Sequence, residues 1–505
     1  MKNLFKLLVL AIVAAMLVAC GGTDRTETPS TDTDTETETN GGTETTDPSG
    51  NLDGTSAVWN ADAGHYEIED DAQIRLGVDT DSLGEAIVAL WDETHPDHAG
   101  KVTFENSGAA GSADRLPTEQ DSVQDVLMVI DGEVSRNISH ILAIEENLAE
   151  VIKNNSLEAF YNAGNTTDQT VYAPVTYDGM AFVTNLTLLE NLGLDTTDEN
   201  GDNLPDAFDT WEEIFELSRS YLDERPTITT RVTETDEEGN EVVTEEETEG
   251  TLNVVFPMSL KEPWSGYFPL TTGGWQLLED GDPLNPGYDK PEFKAGLEFL
   301  VEAKEAGVSV EESGAITPGE SMTGRWDNVL NGINLAPFGL VGTWHNVAEF
   351  SEETGNEYAI SILPTYNGVN PSPFVKTKGF VINTYTRYQS AAHELLRLIY
   401  SQDGMQAMVD TTAYAPSLAD GSEITPDLTG KTVQEQFMSA FEFNYPEPAL
   451  TLPENPQKKA MDAAYYGTME LITPQVWDGT LSVDDAIAEL IETTNAKIEA
   501  ENVPE

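Results

Sequence analysis

The sequence predicts an α/β fold divided into two lobes, from three observations. Between residues 73 and 130, strand-like and helix-like stretches alternate. The chain has 505 residues, long for one domain, so two lobes are the natural expectation. Hydrophobic residues make up 39%, enough for a sizeable core, and a single cysteine leaves packing rather than a disulfide to hold it.

The elements follow in order. Gln73-Ile74-Arg75-Leu76-Gly77-Val78 reads as a first strand. Asp79-Thr80-Asp81-Ser82 then caps a helix, in which Leu83, Ile87, Leu90 and Trp91 fall at i, i+4, i+7 and i+8 on one face. Lys101-Val102-Thr103-Phe104 reads as a second strand. Gln124-Asp125-Val126-Leu127-Met128-Val129-Ile130 is a third, ending at Asp131-Gly132. This order predicts a mainly parallel sheet with crossover helices. Ligands of such sheets bind beyond the strand C-termini, which places Asp79 and Asp131 beside a cleft.

Ahead of the first strand lie a leader and a tether. Lys2 and Lys6 precede an apolar run from Leu7 to Val18, the pattern of a secretory signal. The run is shorter than the ~20 residues of a membrane span. Leu17-Val18-Ala19-Cys20 has the form of a bacterial lipobox, in which Cys20 receives the lipid. The expected product is tethered by that lipid to the outer face of a cell membrane. Residues 21–65, with Thr-Asp-Thr-Asp-Thr-Glu-Thr-Glu-Thr at 31–39, lack apolar periodicity and read as an acidic disordered tether.

Charge narrows the function further. The chain has 24 Lys+Arg against 91 Asp+Glu, net −67. Nucleic-acid binding needs a basic surface and is excluded as an expectation. The same charge disfavours adsorption to anionic lipid, so the lipid at Cys20 must do the anchoring.

Several stretches resemble one family when taken in order. They are Leu90-Trp91-Asp92-Glu93-Thr94-His95-Pro96-Asp97, Tyr172-Ala173-Pro174-Val175-Thr176-Tyr177-Asp178-Gly179, Thr210-Trp211-Glu212-Glu213-Ile214, Ser259-Leu260-Lys261-Glu262-Pro263-Trp264, Ile362-Leu363-Pro364-Thr365-Tyr366-Asn367-Gly368 and Ser482-Val483-Asp484-Asp485-Ala486. From about residue 72 to 500 the chain resembles the extracellular solute-binding proteins of the maltose-binding type. The resemblance implies a two-lobe, periplasmic-binding-protein-like fold of type II, with lobes joined by crossing strands. It implies an N-lobe over 66–176 and 379–425 and a C-lobe over 177–378 and 426–505. It also implies an oligosaccharide ligand held by hinge closure, ABC permease subunits as partners, and no catalysis.

The resemblance assigns ligand-facing roles to Asp79, Asp131, Asp178, Glu262, Trp264 and Trp344, with Tyr465 or Tyr466 as a C-terminal stacking aromatic. Carboxylates would take pairs of hydroxyls and the aromatics would stack on sugar rings. The chain departs from the maltose-binding pattern in three places. Thr80 stands for a lysine, Val129 or Ile130 for a tryptophan, and Gly132 for an arginine. Maltodextrin and other oligosaccharides therefore both stay open. Rival readings are a surface glycoside-active enzyme using Asp178 and Glu262, and a binding protein for a peptide or metal.

Two acidic insertions fall outside the resemblance, at 195–209 and 227–250. The second reads as a charged hairpin. The first holds Asp198, Asn200, Asp202, Asp206 and Asp209 at positions 1, 3, 5, 9 and 12 of a loop, with the Leu204 carbonyl at 7. That is the order in which a calcium loop wraps its ion, and a structural Ca2+ is expected there. Asn203 stands where such a loop needs a left-handed turn.

Overall fold

Apolar runs along the middle strands decide the architecture. In the computed structural model, residues 55–120, 122–166, 168–235, 241–260, 263–277, 286–309, 327–330, 336–444 and 469–501 are described. The first half supplies β1 (Ile74–Val78), α1 (Asp81–Thr94), β2 (Val102–Asn106), β3 (Val126–Ile130), the short α2 (Asp131–Arg136) and the long β4 (Ala173–Asn185). Next come α3 (Trp211–Ser220), the hairpin β5 (Thr227–Thr235) and β6 (Glu241–Thr251), β7 (Phe338–Gly342), β8 (Tyr358–Ser361) and β9 (Val375–Ile382). The helices α4 (Gln389–Ile399), α5 (Gln402–Thr411) and α6 (Val483–Glu501) follow.

The principal sheet runs β8-β4-β9-β3-β1-β2, and β7 also pairs with β4. Parallel pairing is confined to β1 with β2 and β3. The pairs β9–β3, β9–β4, β4–β7 and β4–β8 are antiparallel. The expected mainly parallel sheet is thus corrected to a mixed one. The cause lies in β4 and β9, long strands that run antiparallel to each other and link the β1–β3 region to β7 and β8.

Alternation assigns each strand face to a core. On β3, Val126 and Met128 pack in one cluster with Leu76, Ile87, Trp91, Leu395 and Met408. Leu127 and Val129 point the other way, into a smaller cluster with Val134, Tyr172 and Val381. A strand buried on both faces reads as a continuous apolar run, which is what this segment shows. A larger third cluster gathers on Trp211, Phe182, Phe215, Phe256, Phe268, Phe299 and Phe338. At its centre, the buried Trp211 ring lies 5.0–6.0 Å from Phe256, Phe299, Phe268, Phe182 and Phe215. The helix that places it, α3, opens with a capping box. Glu213 N donates to Thr210 Oγ1, and Thr210 N donates to the Glu213 carboxylate.

The charged insertion is a hairpin, as expected, with Thr227 paired to Thr251 and Thr235 to Glu241. One local expectation fails. Thr80 is the N-cap of α1, yet its side chain makes no capping hydrogen bond. The preceding Asp79 is engaged elsewhere.

Candidate functional site

The strands that link the two large cores also build the site. On β4 and β9, Lys376 pairs with Asp178, and Lys378 with Thr176. Toward β3, Lys378 pairs with Ile130, just before Asp131. The ends of β1 and β3 and the middles of β4 and β9 therefore converge.

Lys378 is the hub. It is 6% exposed, and its Nζ donates to Asp79 Oδ2 at 3.1 Å. Asp178 Oδ1 stands 3.4 Å from the same nitrogen, an ion pair without a hydrogen bond. The Tyr414 hydroxyl donates to Asp79 Oδ2 at 2.5 Å, and its ring centroid lies 4.7 Å from the ammonium. Burial alone would push the Lys378 pKa down. Asp178, Tyr414 and Asp79 outweigh it and hold the pKa above its ordinary value. Burial pushes the Asp178 carboxyl up, and Lys378 opposes that shift. Burial likewise raises the Tyr414 phenol, so it stays a hydrogen-bond donor.

Two acceptors in this cluster lack a hydrogen bond, although Asp178 Oδ1 is ion-paired to Lys378. Asp79 Oδ1 and Asp178 Oδ1 are buried and have no hydrogen-bond partner among the described residues. An unsatisfied buried acceptor costs about 1–3 kcal/mol, more when charged. Such atoms call for a water, an ion or a ligand as partner.

The aromatic wall stands over this cluster. Trp344 lies with its centroid 6.0 Å from Lys378 Nζ and meets Trp264 edge-on at 5.6 Å. Trp264 in turn lies 4.9 Å from Phe374. Both tryptophans are only partly buried, and Trp344 packs against both large cores. The turn that carries Trp344 is tied to the crossing strand, since Thr343 N donates to Gly179 O at 3.1 Å. The Trp344 ring folds back over Gly342, within 2.4 Å of where a Cβ would stand. Next to it, burial holds the His345 imidazole down at about 4, so it is neutral at neutral pH.

Of the ligand-facing residues expected from sequence, Asp79, Asp178, Trp264 and Trp344 come together. Asp131 is buried at the start of α2, where its charge acts on Asp178 and Tyr172. Glu262, Tyr465 and Cys20 lie outside the described residues. Sequence reasoning missed Lys376, Lys378 and Tyr414. The available signal was two lysines, alternating around Thr377, inside the apolar run from Phe374 to Ile382. Lysine is almost never buried unless paired.

The acidic loop lies apart in sequence from this cluster. Its backbone winds around Asp198, whose carboxylate accepts from Gly201 N at 2.7 Å and Asn203 N at 2.9 Å. Asn203 adopts the left-handed conformation, φ 67°. Leu204 N donates to Asp202 Oδ1 at 2.9 Å. The Asp209 carboxyl is pushed up to about 6, first by burial and then by Asp202, Asp206, Glu213 and Asp198. Among the described residues, no group of three or more His, Cys, Asp or Glu side chains is arranged to hold a metal ion. Nor is any described helix long and apolar enough to cross a membrane.

Comparison with known proteins gives one positive finding. A family model described as "Bacterial extracellular solute-binding protein" matches residues 89–433. No curated protein matches the chain.

Proposed function

We propose, from the premise that this chain belongs to the bacterial extracellular solute-binding proteins, that its ligand is an oligosaccharide. The family binds a solute and delivers it to the permease of an ABC-type importer, and the mixed α/β architecture accords with its periplasmic-binding-protein-like fold. The observation that carries the sugar reading is the grouping of Trp264 and Trp344 with Asp79 and Asp178 oxygens that accept no hydrogen bond. A sugar ring offers an apolar face for the aromatics and hydroxyls for the acceptors. In this reading two lobes, each built on one of the large cores, swing about β4 and β9 and close on the ligand. Trp344 already packs against both cores and stands where the two would meet around a ligand. No bond is broken in the cycle; the solute is bound and released.

The oligosaccharide, maltodextrin-like or otherwise, is tested by thermal unfolding with a panel of neutral oligosaccharides. A ligand that binds the native state raises the midpoint. A panel without effect, with a shift from peptides or metal ions instead, contradicts the reading. Shortened sugars after incubation would favour a glycoside-active enzyme.

Two further parts of the proposal are independent of the sugar. Cys20 carries the lipid that anchors the protein to the outer face of the cell membrane, supported by its lipobox. The loop of Asp198, Asn200, Asp202, Leu204, Asp206 and Asp209 takes a structural Ca2+, supported by its winding and by the crowding at Asp209. Binding requires these carboxylates to draw closer than they stand. A melting midpoint equal in calcium and in chelator contradicts it.

A further inference from the structure

We propose that Lys378 is a positioning residue of this site, holding Asp79 and Asp178 on one ammonium so that a neutral ligand can donate hydroxyls to one oxygen of each. The proposal rests on the sugar reading for its ligand, and on the geometry alone for the role of Lys378.

The side chains of Lys378, Asp79 and Asp178 are 8%, 10% and 2% exposed. Two carboxylates facing one ammonium leave an excess negative charge in a nearly dry site. A ligand carboxylate or phosphate would be repelled there, and Asp79 Oδ1 and Asp178 Oδ1 would still lack hydrogen bonds. Hydroxyl donors satisfy both. The specificity that follows is for neutral, hydroxyl-rich rings over uronate or phosphorylated ones.

The surroundings limit what else could hold the pair. Asp131, at the end of β3, adds negative charge and acts on Asp178. Tyr172 and Tyr414 are phenols kept protonated by burial. His345, beside Trp344, is neutral at neutral pH. Lys376 is the other cation on the same face of β9. Its Nζ lies 2.8 Å from where a Cβ on Gly132 would stand, at the start of α2. It is Lys378 Nζ that reaches both carboxylates, at 3.1 Å from Asp79 and 3.4 Å from Asp178. Without its ammonium, the two carboxylates would repel one another and share a proton, and their titration would become that of a pair.

The test uses the full chain with Lys378→Met, which keeps the apolar stem and removes the charge. Without ligand, infrared spectroscopy from about pH 5 to 8 should show in the variant one more titrating protonated carboxyl than in the wild type, where Asp209 already titrates. With the neutral oligosaccharide that most raises the wild-type midpoint, Kd should weaken at least about tenfold at pH 8 and become pH-dependent. The wild-type Kd should stay flat over the same range. Wild-type affinity and no protonated carboxyl beyond those of the wild type in Lys378→Met would overturn the role of Lys378. If that variant does not fold, Lys378→Met with Asp178→Asn should fold, because the like-charge pair is gone. An equally unfolded double variant would make Lys378 a packing residue and overturn the proposal. Tighter binding of a glucuronate-bearing oligosaccharide than of its neutral counterpart would overturn the ligand class. A panel without any sugar response sinks the sugar reading alone, and the infrared result still judges Lys378.

Discussion

At the scale of single residues, Gly342 and Trp344 make the sharpest case. A methyl at 342 would overlap the Trp344 ring, with contacts of 2.4 Å to Cε2 and Cζ2. The strand backbone is fixed by pairing with Met180, so the ring must move. Gly342→Ala should therefore lower the melting midpoint, at an overpacking cost of about 1–3 kcal/mol, while shifting Trp344 fluorescence and weakening sugar binding. Equal binding by the variant would mean that the ring is not a ligand contact. Asp209 gives a prediction of another kind. Its carboxyl is pushed up to about 6 from an ordinary 3.8, so between those values the folded state binds more protons than the unfolded. Stability contributed there is present at low pH and lost as pH rises toward 6. In chelator, the wild-type midpoint should fall over that range, and Asp209→Asn should flatten the slope. Calcium should restore at pH 7 what ionisation removes; a midpoint indifferent to pH and calcium would contradict both statements.

At the scale of elements, what could be read in the sequence followed local periodicity, and what could not depended on distant partners. The strand at 74–78 and the helix at 81–94 were legible from the spacing of their apolar residues, and the strand at 126–130 from its continuous apolar run. The start of α3 was legible in Thr210-Trp211-Glu212-Glu213, and its capping box is formed. Thr210→Ala should cost about 1 kcal/mol in denaturant unfolding. Trp211→Ala, at the middle of the aromatic cluster, should cost about 3–5 kcal/mol. Losses in the reverse order would mean that the cluster is not the core of that region. The mixed sheet was not legible, because strand direction is set by which distant segments pair. Nor was the Asp79–Lys378–Asp178 cluster, whose members stand 299 residues apart at Asp79 and Lys378. Periodicity carried Lys378 only as an oddity in an apolar strand. The resemblance supplied Asp79, Asp178, Trp264 and Trp344, but no pattern pointed to the cation between the two acids.

At the scale of the whole molecule, the surface and the site have different requirements. A net charge of −67 suits a solvated exterior, while the site gathers buried lysines against buried aspartates. Removing the anchor should not touch the site: Cys20→Ser should release the protein into the medium with unchanged sugar affinity. Retention on the membrane would contradict the lipobox reading. The central claim is that the tryptophan wall and the paired aspartates form one sugar site. Calorimetric titration of the wild type and Trp344→Ala with the best neutral oligosaccharide of the panel tests it most directly. A saturable wild-type isotherm weakened by about 1–3 kcal/mol in a folded variant is the predicted result; identical isotherms for the two proteins would contradict it.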